Sequence, residues 1–443
     1  MGEITLDLRL KFTVPEKGLT INGLISGLKE EIPQIHGAIL TTLMKAIEEK
    51  VVEGWVQKDP DRYRRNGSQS KARELKSSLG PIHYRLVQMV DRKTGRSFTP
   101  LALALSIPAH DRYLEEAMEP SIGLAVHVSF RRATKEVERI QGQSMSASTV
   151  HRRLQEFART HDPFGEMKDI AFRFLLVDGT KVHLQEGRGK DLGQAEMRWA
   201  LASLGSTYRF EPVGFWVRTP WQEIRRDLNR RLNYRKLKVL FSDGGPGIEE
   251  SLLGSGMRHQ RCVWHGERDF PYLLYADGLK KGKQAPWVEK LKRIPGLQLT
   301  KDQLESLRPE DRPLMEKIFR KTKRGFTQLV EALDPKKYPK ARVYIQNLMK
   351  PVTTFLSWWL EKGEVIPLNT NAIESAFSRV CNRIKRVGRR WSERGLLHWL
   401  QTAFYKVFKS NLWDLQWLGN RKRLPKIKLI SLQISFSWSN AIT

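Results

Sequence analysis

The spacing of apolar residues divides the chain into a strand-like start, several helical stretches and one dense run of strands. In TLDLRLKF the residues Leu6, Leu8, Leu10 and Phe12 alternate, which predicts a half-buried strand over 5–12. Helical spacing follows to about Val56, and the polar, Arg- and Ser-rich stretch from Gln57 to Lys76 predicts a linker. Within Leu79–Leu105, IHYRLVQMV, the turn DRKTG and RSFTPLALAL predict a hairpin. In FRRATKEVERI, Phe130, Ala133, Val137 and Ile140 share one helical face; in SASTVHRRLQEFA, Val150, Leu154 and Phe157 share another, with QGQSM as a tight turn between them. This is the pattern of a helix-turn-helix, whose second helix enters the major groove and would bring Ser148, Thr149, Arg152 and Arg153 to DNA. An αα-hairpin with a solvated basic face has the same pattern.

FRFLLVD, ending at Asp178, and LKVLFSD, ending at Asp243, are near-continuous apolar runs, as strands covered on both faces require. MRWALASLG and EPVGFWV between them predict two more strands. TPWQEIRRDLNRRL then predicts a helix with Thr219 as N-cap, Pro220 at its first position and Gln222 completing a capping box, and with Trp221, Ile224, Leu228 and Leu232 buried. The order is a three-stranded meander followed by a crossover. From about Lys280 to Pro367 the spacing is helical only, broken at Pro295, Pro309, Pro313, Pro335 and Pro339. In NTNAIESAFSRVCNRIKRVGRR, Ile373, Phe377, Val380, Ile384 and Val387 mark an amphipathic helix starting near Asn371. The segment Asn411–Thr443 is basic at Arg421–Lys428 and then strand-like.

Charge sharpens this picture. With 77 Lys and Arg against 48 Asp and Glu, the formal charge is +29, which argues for a polyanionic partner. The hydrophobic fraction of 40% is enough for folded cores. Cys262 and Cys381, the two cysteines, build no disulfide framework; no apolar leader opens the chain, and the longest apolar stretch falls short of the ~20 residues of a membrane span. A soluble, cytoplasmic protein with no membrane partner is expected.

Two apolar strands that each end in Asp-Gly can place Asp178 and Asp243 side by side at one sheet edge if the strands are parallel, although Asp-Gly alone also marks a plain turn. Glu374 stands in the first turn of its helix at the border of the apolar stripe. It can reach a metal held by the two aspartates, or complete a capping box with Asn371. Arg379, Arg383, Arg386 and Arg390 form a stripe on the other flank of that helix, a solvated face or a set of phosphate contacts. His259, Cys262 and His265 are spaced by three. A structural zinc site wants four ligands, usually as two separated pairs, so no zinc is expected here. Trp264 either packs or stacks on an unpaired base.

VDGTK at Asp178, SDGG at Asp243, RCVWH at Cys262–His265 and NTNAIES at Glu374 together resemble the Mutator-type DDE transposases, the superfamily that includes many bacterial insertion-sequence enzymes, over roughly residues 125–405. The resemblance implies an α/β fold: a ribonuclease-H-like mixed-sheet core with a large all-helical insertion, preceded by an α+β N-terminal region containing the helix-turn-helix. The implied divisions are 1–110 (α+β accessory region), 111–162 (helix-turn-helix), 163–279 (first part of the core), 280–367 (helical insertion), 368–410 (core, Glu-bearing helix) and 411–443 (basic tail). It makes Asp178, Asp243 and Glu374 the catalytic acids, holding two Mg²⁺ ions that Mn²⁺ can replace, with Asp178 bridging them. Cys262 and His265 would support the site. The implied partner is double-stranded DNA, both the terminal inverted repeats of an insertion sequence and the target, bound by a homodimer or larger assembly. The implied reaction is strand cleavage by water, then attack of the freed 3′-hydroxyl on target DNA. Two rivals share features with it: a metal-dependent nuclease on the same fold, and a helix-turn-helix DNA-binding regulator, either catalytically inactive or unrelated.

Overall fold

The apolar run that reaches Asp178 does not stop there. In the computed structural model, which describes residues 4–5, 20–107, 109, 112–187, 190–205, 210–386 and 391–419, the strand continues through the aspartate to Glu186. The described residues fall into two units, one drawn from Met1–Pro120, Glu138–Ser144 and Ser410–Thr443, the other from Ser121–Val137 and Met145–Lys409. The expected strand over 5–12 and the strand-like end of the chain lie outside the described residues, apart from Thr5.

The first unit opens with α1 (Ile21–Lys58), N-capped by Thr20, whose Oγ1 accepts the Gly23 N–H at 3.0 Å. It is followed by β1 (Tyr63–Ser68), β2 (Arg73–Ser77), β3 (Gly80–Tyr84), β4 (Val87–Asp91), β5 (Arg96–Phe98) and α2 (Pro100–Ala104). β4 and β5 form the expected hairpin across DRKTG, where Gly95 takes a φ of 67° and donates to the Asp91 carbonyl. The expected linker is instead largely strand: β1 pairs with β4, and β2 with β3. YRRNGS is exposed at every position but its first, and RELKS buries only Leu75 and Ser77, so neither carries an apolar alternation. RSFTPLALAL likewise turns helical at Pro100, a residue suited to a first helical turn. α1 lies against β3 backbone to backbone: a Cβ on Gly37 would sit 2.1 Å from the Pro81 carbonyl oxygen. α3 (Glu115–Ala125) and α4 (Phe130–Gln141) divide their residues between the two units.

The second unit is built on a five-stranded sheet in the order β10-β9-β6-β7-β8. It contains α5 (Ala147–Thr160), β6 (Phe174–Glu186), β7 (Lys190–Ser203), β8 (Glu211–Val217), α6 (Trp221–Arg231), β9 (Val239–Ser242), α7 (Ile248–Leu252), β10 (Arg258–Arg261) and α8 (Val263–Ala276). β6, β7 and β8 make the expected antiparallel meander, and β9 returns parallel to β6 after α6. α6 buries Trp221, Ile224 and Leu228 as expected, but it is capped differently: Pro220 is the N-cap, and the Thr219 hydroxyl turns back to the Val217 carbonyl. α9 (Ala285–Lys292), α10 (Lys301–Glu305), α11 (Arg312–Ala332), α12 (Pro339–Val352) and α13 (Thr354–Lys362) form the all-helical stretch. Its core centres on Phe270, Phe326, Leu329, Ile345 and Leu348. α14 (Asn371–Arg386) and α15 (Glu393–Phe408) close the unit, while α16 (Ser410–Leu418) belongs to the first.

The sheet is covered on both faces, as its apolar strands demand. Phe377 of α14 packs on Trp199 of β7 with ring centroids 3.8 Å apart and ring planes tilted by 32°, and Phe404 of α15 meets Trp199 at 4.6 Å and Phe215 at 5.2 Å. Trp221 of α6 lies under the Arg198 guanidinium, on the side of β7 opposite to Trp199. Rings of this size bury ~150–250 Å² each, roughly 4–6 kcal/mol of gross transfer free energy at ~25 cal/mol per Å². Among the described residues, no helix is long and apolar enough to cross a membrane.

Because Phe377 is the ring that seats α14 on the sheet, Phe377→Ala is expected to lower the unfolding free energy of this unit by about 3–5 kcal/mol in a urea titration. A loss below about 1 kcal/mol would show that the helix is held by other contacts.

Candidate functional site: acids at one edge of the sheet

β6 and β9 pair with Phe174 opposite Val239, Leu175 opposite Leu240 and Leu176 opposite Phe241. The pairing ends there; continued two residues further it would carry Asp178 level with Asp243, which lies one residue past the end of β9. Residues side by side in register share a face, and Asp178 is the cross-strand partner of Trp199. Asp178 therefore belongs to the face that α14 covers through Phe377, and Asp243 opens the turn just beyond β9. Glu374 stands on α14 about one turn before Phe377 and is exposed. Asn371 is the first residue of α14, with its N–H held by the Asn369 carboxamide oxygen at 3.2 Å, so it does not cap Glu374's turn as the sequence allowed.

Each aspartate is fixed by nearby backbone. Asp178 Oδ1 accepts the Gly179 N–H at 2.7 Å, and Asp243 Oδ1 accepts the Gly245 N–H at 2.8 Å. The turn after Asp243 passes through Gly244 at φ 85°, where a Cβ would lie 2.3 Å from Arg261 Nε. Arg261 occupies that space and donates to the Asp243 carbonyl at 3.2 Å and to Asp269 at 3.3 Å. Behind the turn, Ser242 Oγ meets His259 Nε2 at 2.8 Å, and His259 Nδ1 meets Glu249 at 3.0 Å. Burial holds the His259 pKa below its ordinary value of 6.5, against the pull of Glu249. His265 is buried at the start of α8, with Nδ1 3.5 Å from the Thr370 hydroxyl. Burial and then Arg268 lower its pKa, while Asp243 and Glu374 act in the opposite sense, so one imidazole senses both acids.

These carboxylates offer the hard oxygen donors that Mg²⁺ takes. As placed, however, they are not drawn together: among the described residues, no three Asp, Glu, His or Cys side chains form a group that could hold a metal ion. Both ring nitrogens of His259 are engaged by Ser242 and Glu249, and Cys262 is buried at the N-cap of α8.

The candidate DNA-contact residues have different fates. α4 and α5 stand on either side of the turn at Gly142, which takes a φ of 72°. Ser148 and Thr149 both share hydrogen bonds with the Ser146 hydroxyl that caps α5. Arg152 is open to solvent, while Arg153 is mostly covered and paired with Glu156 at 3.1 Å. Ile140, expected on the buried face of α4, is 71% exposed. Trp264 is 56% exposed, so its indole is not packed away. Arg379 is exposed, with its guanidinium 4.9 Å from the Phe408 ring. Arg383 departs from expectation: it is buried, 3% exposed, donates to the Ala125 carbonyl, and lies over the rings of Phe130, Trp391 and Trp399. A guanidinium is weakly hydrated and stacks well on aromatic faces, which is why it can be drawn inward here. The Arg386 side chain and Arg390 lie outside the described residues.

Sequence reasoning missed Ser242, Glu249, Arg261 and Thr370. Arg261 stands next to Cys262 in RCVWH, so proximity to a motif was its one signal; the others are joined only by the fold.

Residues 14–196 match the family described as Uncharacterised protein family (UPF0236). Over 411 residues the chain is 24% identical to the UPF0236 protein in vanSb 3'region of Streptococcus gallolyticus, spanning 87% of this chain and 82% of that protein. Among solved structures it is similar to the Drosophila P element transposase strand transfer complex, at 12% identity over 72% of this chain and 85% of that one. The TM-score is 0.26, and a superposition that loose carries no argument about activity.

The buried histidines give a pH signature. With folded pKa values held below 6.5 for His259 and His265, the unfolded chain takes up more protons than the folded one below about pH 6.5. Stability is therefore expected to be fully present above that pH and to fall as the solution is acidified towards pH 5. His259→Gln, which keeps a donor near Ser242, is expected to make that fall shallower in urea titrations at several pH values; an unchanged slope would remove His259 from the account.

Proposed function

We propose that the chain is a DDE-type transposase: it binds the inverted-repeat ends of its own insertion sequence and cuts and joins DNA strands with Asp178, Asp243 and Glu374. What supports the reading is the parallel β6–β9 pairing, whose continuation points Asp178 and Asp243 to the same end of the sheet, on which α14, the helix bearing Glu374, packs through Phe377. The strand order β10-β9-β6-β7-β8, with three antiparallel strands followed by two parallel ones, supports a ribonuclease-H-like core. The charge of +29 supports a DNA partner.

The group this reading implies is a pair of Mg²⁺ ions, replaceable by Mn²⁺, which would activate a water or a 3′-hydroxyl and relieve charge on the leaving oxygen. The donors suit such ions in kind but not in present placement. Holding a shared ion requires the first turn of α14 to close on the two strands. The chain's own part is to fix the two aspartates through Gly179, Gly245 and Arg261, and to bind phosphates through exposed cations such as Arg152 and Arg379. The separation of the acids favours one other reading, a DNA-binding regulator that uses the same basic surface without cutting.

The test incubates purified protein with labelled DNA from the flanks of its coding region, Mg²⁺ and a target plasmid. Joined products are expected from the parent and are expected to fall about 10³-fold or more with Asp178→Asn. Cleavage without joining would make the protein a nuclease. A mobility shift equal in both proteins, with no cleavage, would make it the regulator.

A further inference from the structure

α8 leaves the edge of the sheet at the acids, and one of its faces is unlike any other described surface of the unit. Trp264, Tyr272 and Tyr275 are 56%, 68% and 67% exposed, and Arg268 stands among them, also exposed. At ~100° per residue these four side chains fall within an arc of about 80°, and at ~1.5 Å per residue they extend over about 16 Å of helix. The far side of α8 carries the buried Gly266, Phe270 and Leu274, while the buried His265 flanks the stripe next to Tyr272. The Arg268 guanidinium lies 5.2 Å from the Trp264 ring centroid and is oriented by Asp269 at 3.0 Å. Past the end of the helix, Lys280 and Lys281 are exposed.

Large rings left in water are costly unless something covers them. Trp, Tyr and Arg are also residues that protein interfaces bury, so a second copy of the chain is the rival occupant of this face. Three rings with Arg268 among them and two lysines beyond the helix end match a polymer that carries both flat bases and phosphates. A duplex hides its bases within the stack, whereas an unpaired strand presents each base as a face for stacking. The stripe also begins at Trp264, beside the His265 that senses Asp243 and Glu374.

We propose that this face of α8 is a stacking platform for single-stranded DNA, with Trp264, Tyr272 and Tyr275 taking successive bases and Arg268, Lys280 and Lys281 taking phosphates. The choice of DNA over RNA rests on the function proposed above; the stacking itself does not. Such a platform would hold a strand that has left its duplex and direct its phosphodiesters towards the acidic edge.

The test uses the full chain without divalent metal, so that no cutting enters, and follows the anisotropy of a labelled 20-mer of thymidylate, its uridylate counterpart and a 20-base-pair duplex. Tyr272→Ala/Tyr275→Ala and Trp264→Ala are expected to weaken the thymidylate 20-mer by about tenfold or more per ring while duplex affinity stays within twofold. Tyr272→Phe/Tyr275→Phe, which keeps the rings, is expected to bind like the parent. Unchanged binding by the alanine variants, or equal loss with phenylalanine, overturns the proposal. So does a parent that dimerises in sedimentation through these rings. Tighter binding of the uridylate strand overturns the assignment to DNA. None of these results depends on whether Asp178→Asn abolishes strand joining, so the two readings fail separately.

Discussion

The parallel pairing of β6 with β9 is the constraint from which the rest of this unit follows. A strand that enters a parallel pair must be reached by a crossover, and here α6 makes that crossover. The strands are apolar on both sides: Leu175, Leu176, Val177, Leu240 and Phe241 are all essentially inaccessible to water. Neither face of the sheet can be left open, so helices must pack on each. That requirement docks α14 on the face that Asp178 and Trp199 share. The helix that carries Glu374 lies on that face because the apolar strands need cover, although the three acids as placed do not form a group that could hold a metal ion.

The positive charge divides into two populations with different work. Some arginines lie on aromatic faces, Arg383 buried over Trp391 and Trp399, and the half-buried Arg225 and Arg231 at 3.6 Å from the Tyr234 ring and 5.4 Å from the Phe164 ring. Beside Arg225, burial pushes the Tyr234 phenol up to about 12, so it stays neutral and donates to the Leu252 carbonyl. The other population is exposed, as Arg152, Arg268 and Arg379 are. The net charge of the sequence counts both alike, which overstates the surface available to phosphate.

What the sequence disclosed follows from what periodicity can encode. Near-continuous apolar runs marked β6 and β9, and helical spacing marked α5, α6 and α14, because burial on two faces or along one stripe leaves a period in the residues. β1 leaves no such period because it is exposed at nearly every position, and β2 leaves none because one of its two buried positions is a serine. β10, with the sequence RHQR, is a buried-edge strand whose residues are polar because His259 and Gln260 make hydrogen bonds to Ser242 and to the Phe355 N–H. The two aspartates were legible as strand-borne acids, although Asp178 lies within its strand and not at its end. Arg383 was not legible as a core residue: an inward and an outward arginine at helical spacing are written identically, and only the aromatic cage that Trp391 and Trp399 complete from further along the chain tells them apart.

The three acids are held with unequal firmness, and the inequality has a physical source. Asp243 sits on a turn clamped from the front by Arg261 and braced behind by the Ser242–His259–Glu249 chain, and Asp178 sits within a long antiparallel ladder. Glu374 has no such frame. It projects from the exposed side of a first helical turn, where backbone N–H groups lack intrahelical partners and the helix is least constrained. Its position depends on Phe377 one turn later and on Thr370 just before the helix, whose carbonyl accepts the Glu374 N–H at 3.3 Å and whose hydroxyl faces His265. Two acids thus belong to the rigid sheet and the third to its helical cover. Any change in the spacing of the three is therefore a movement of the helix end and not of the sheet.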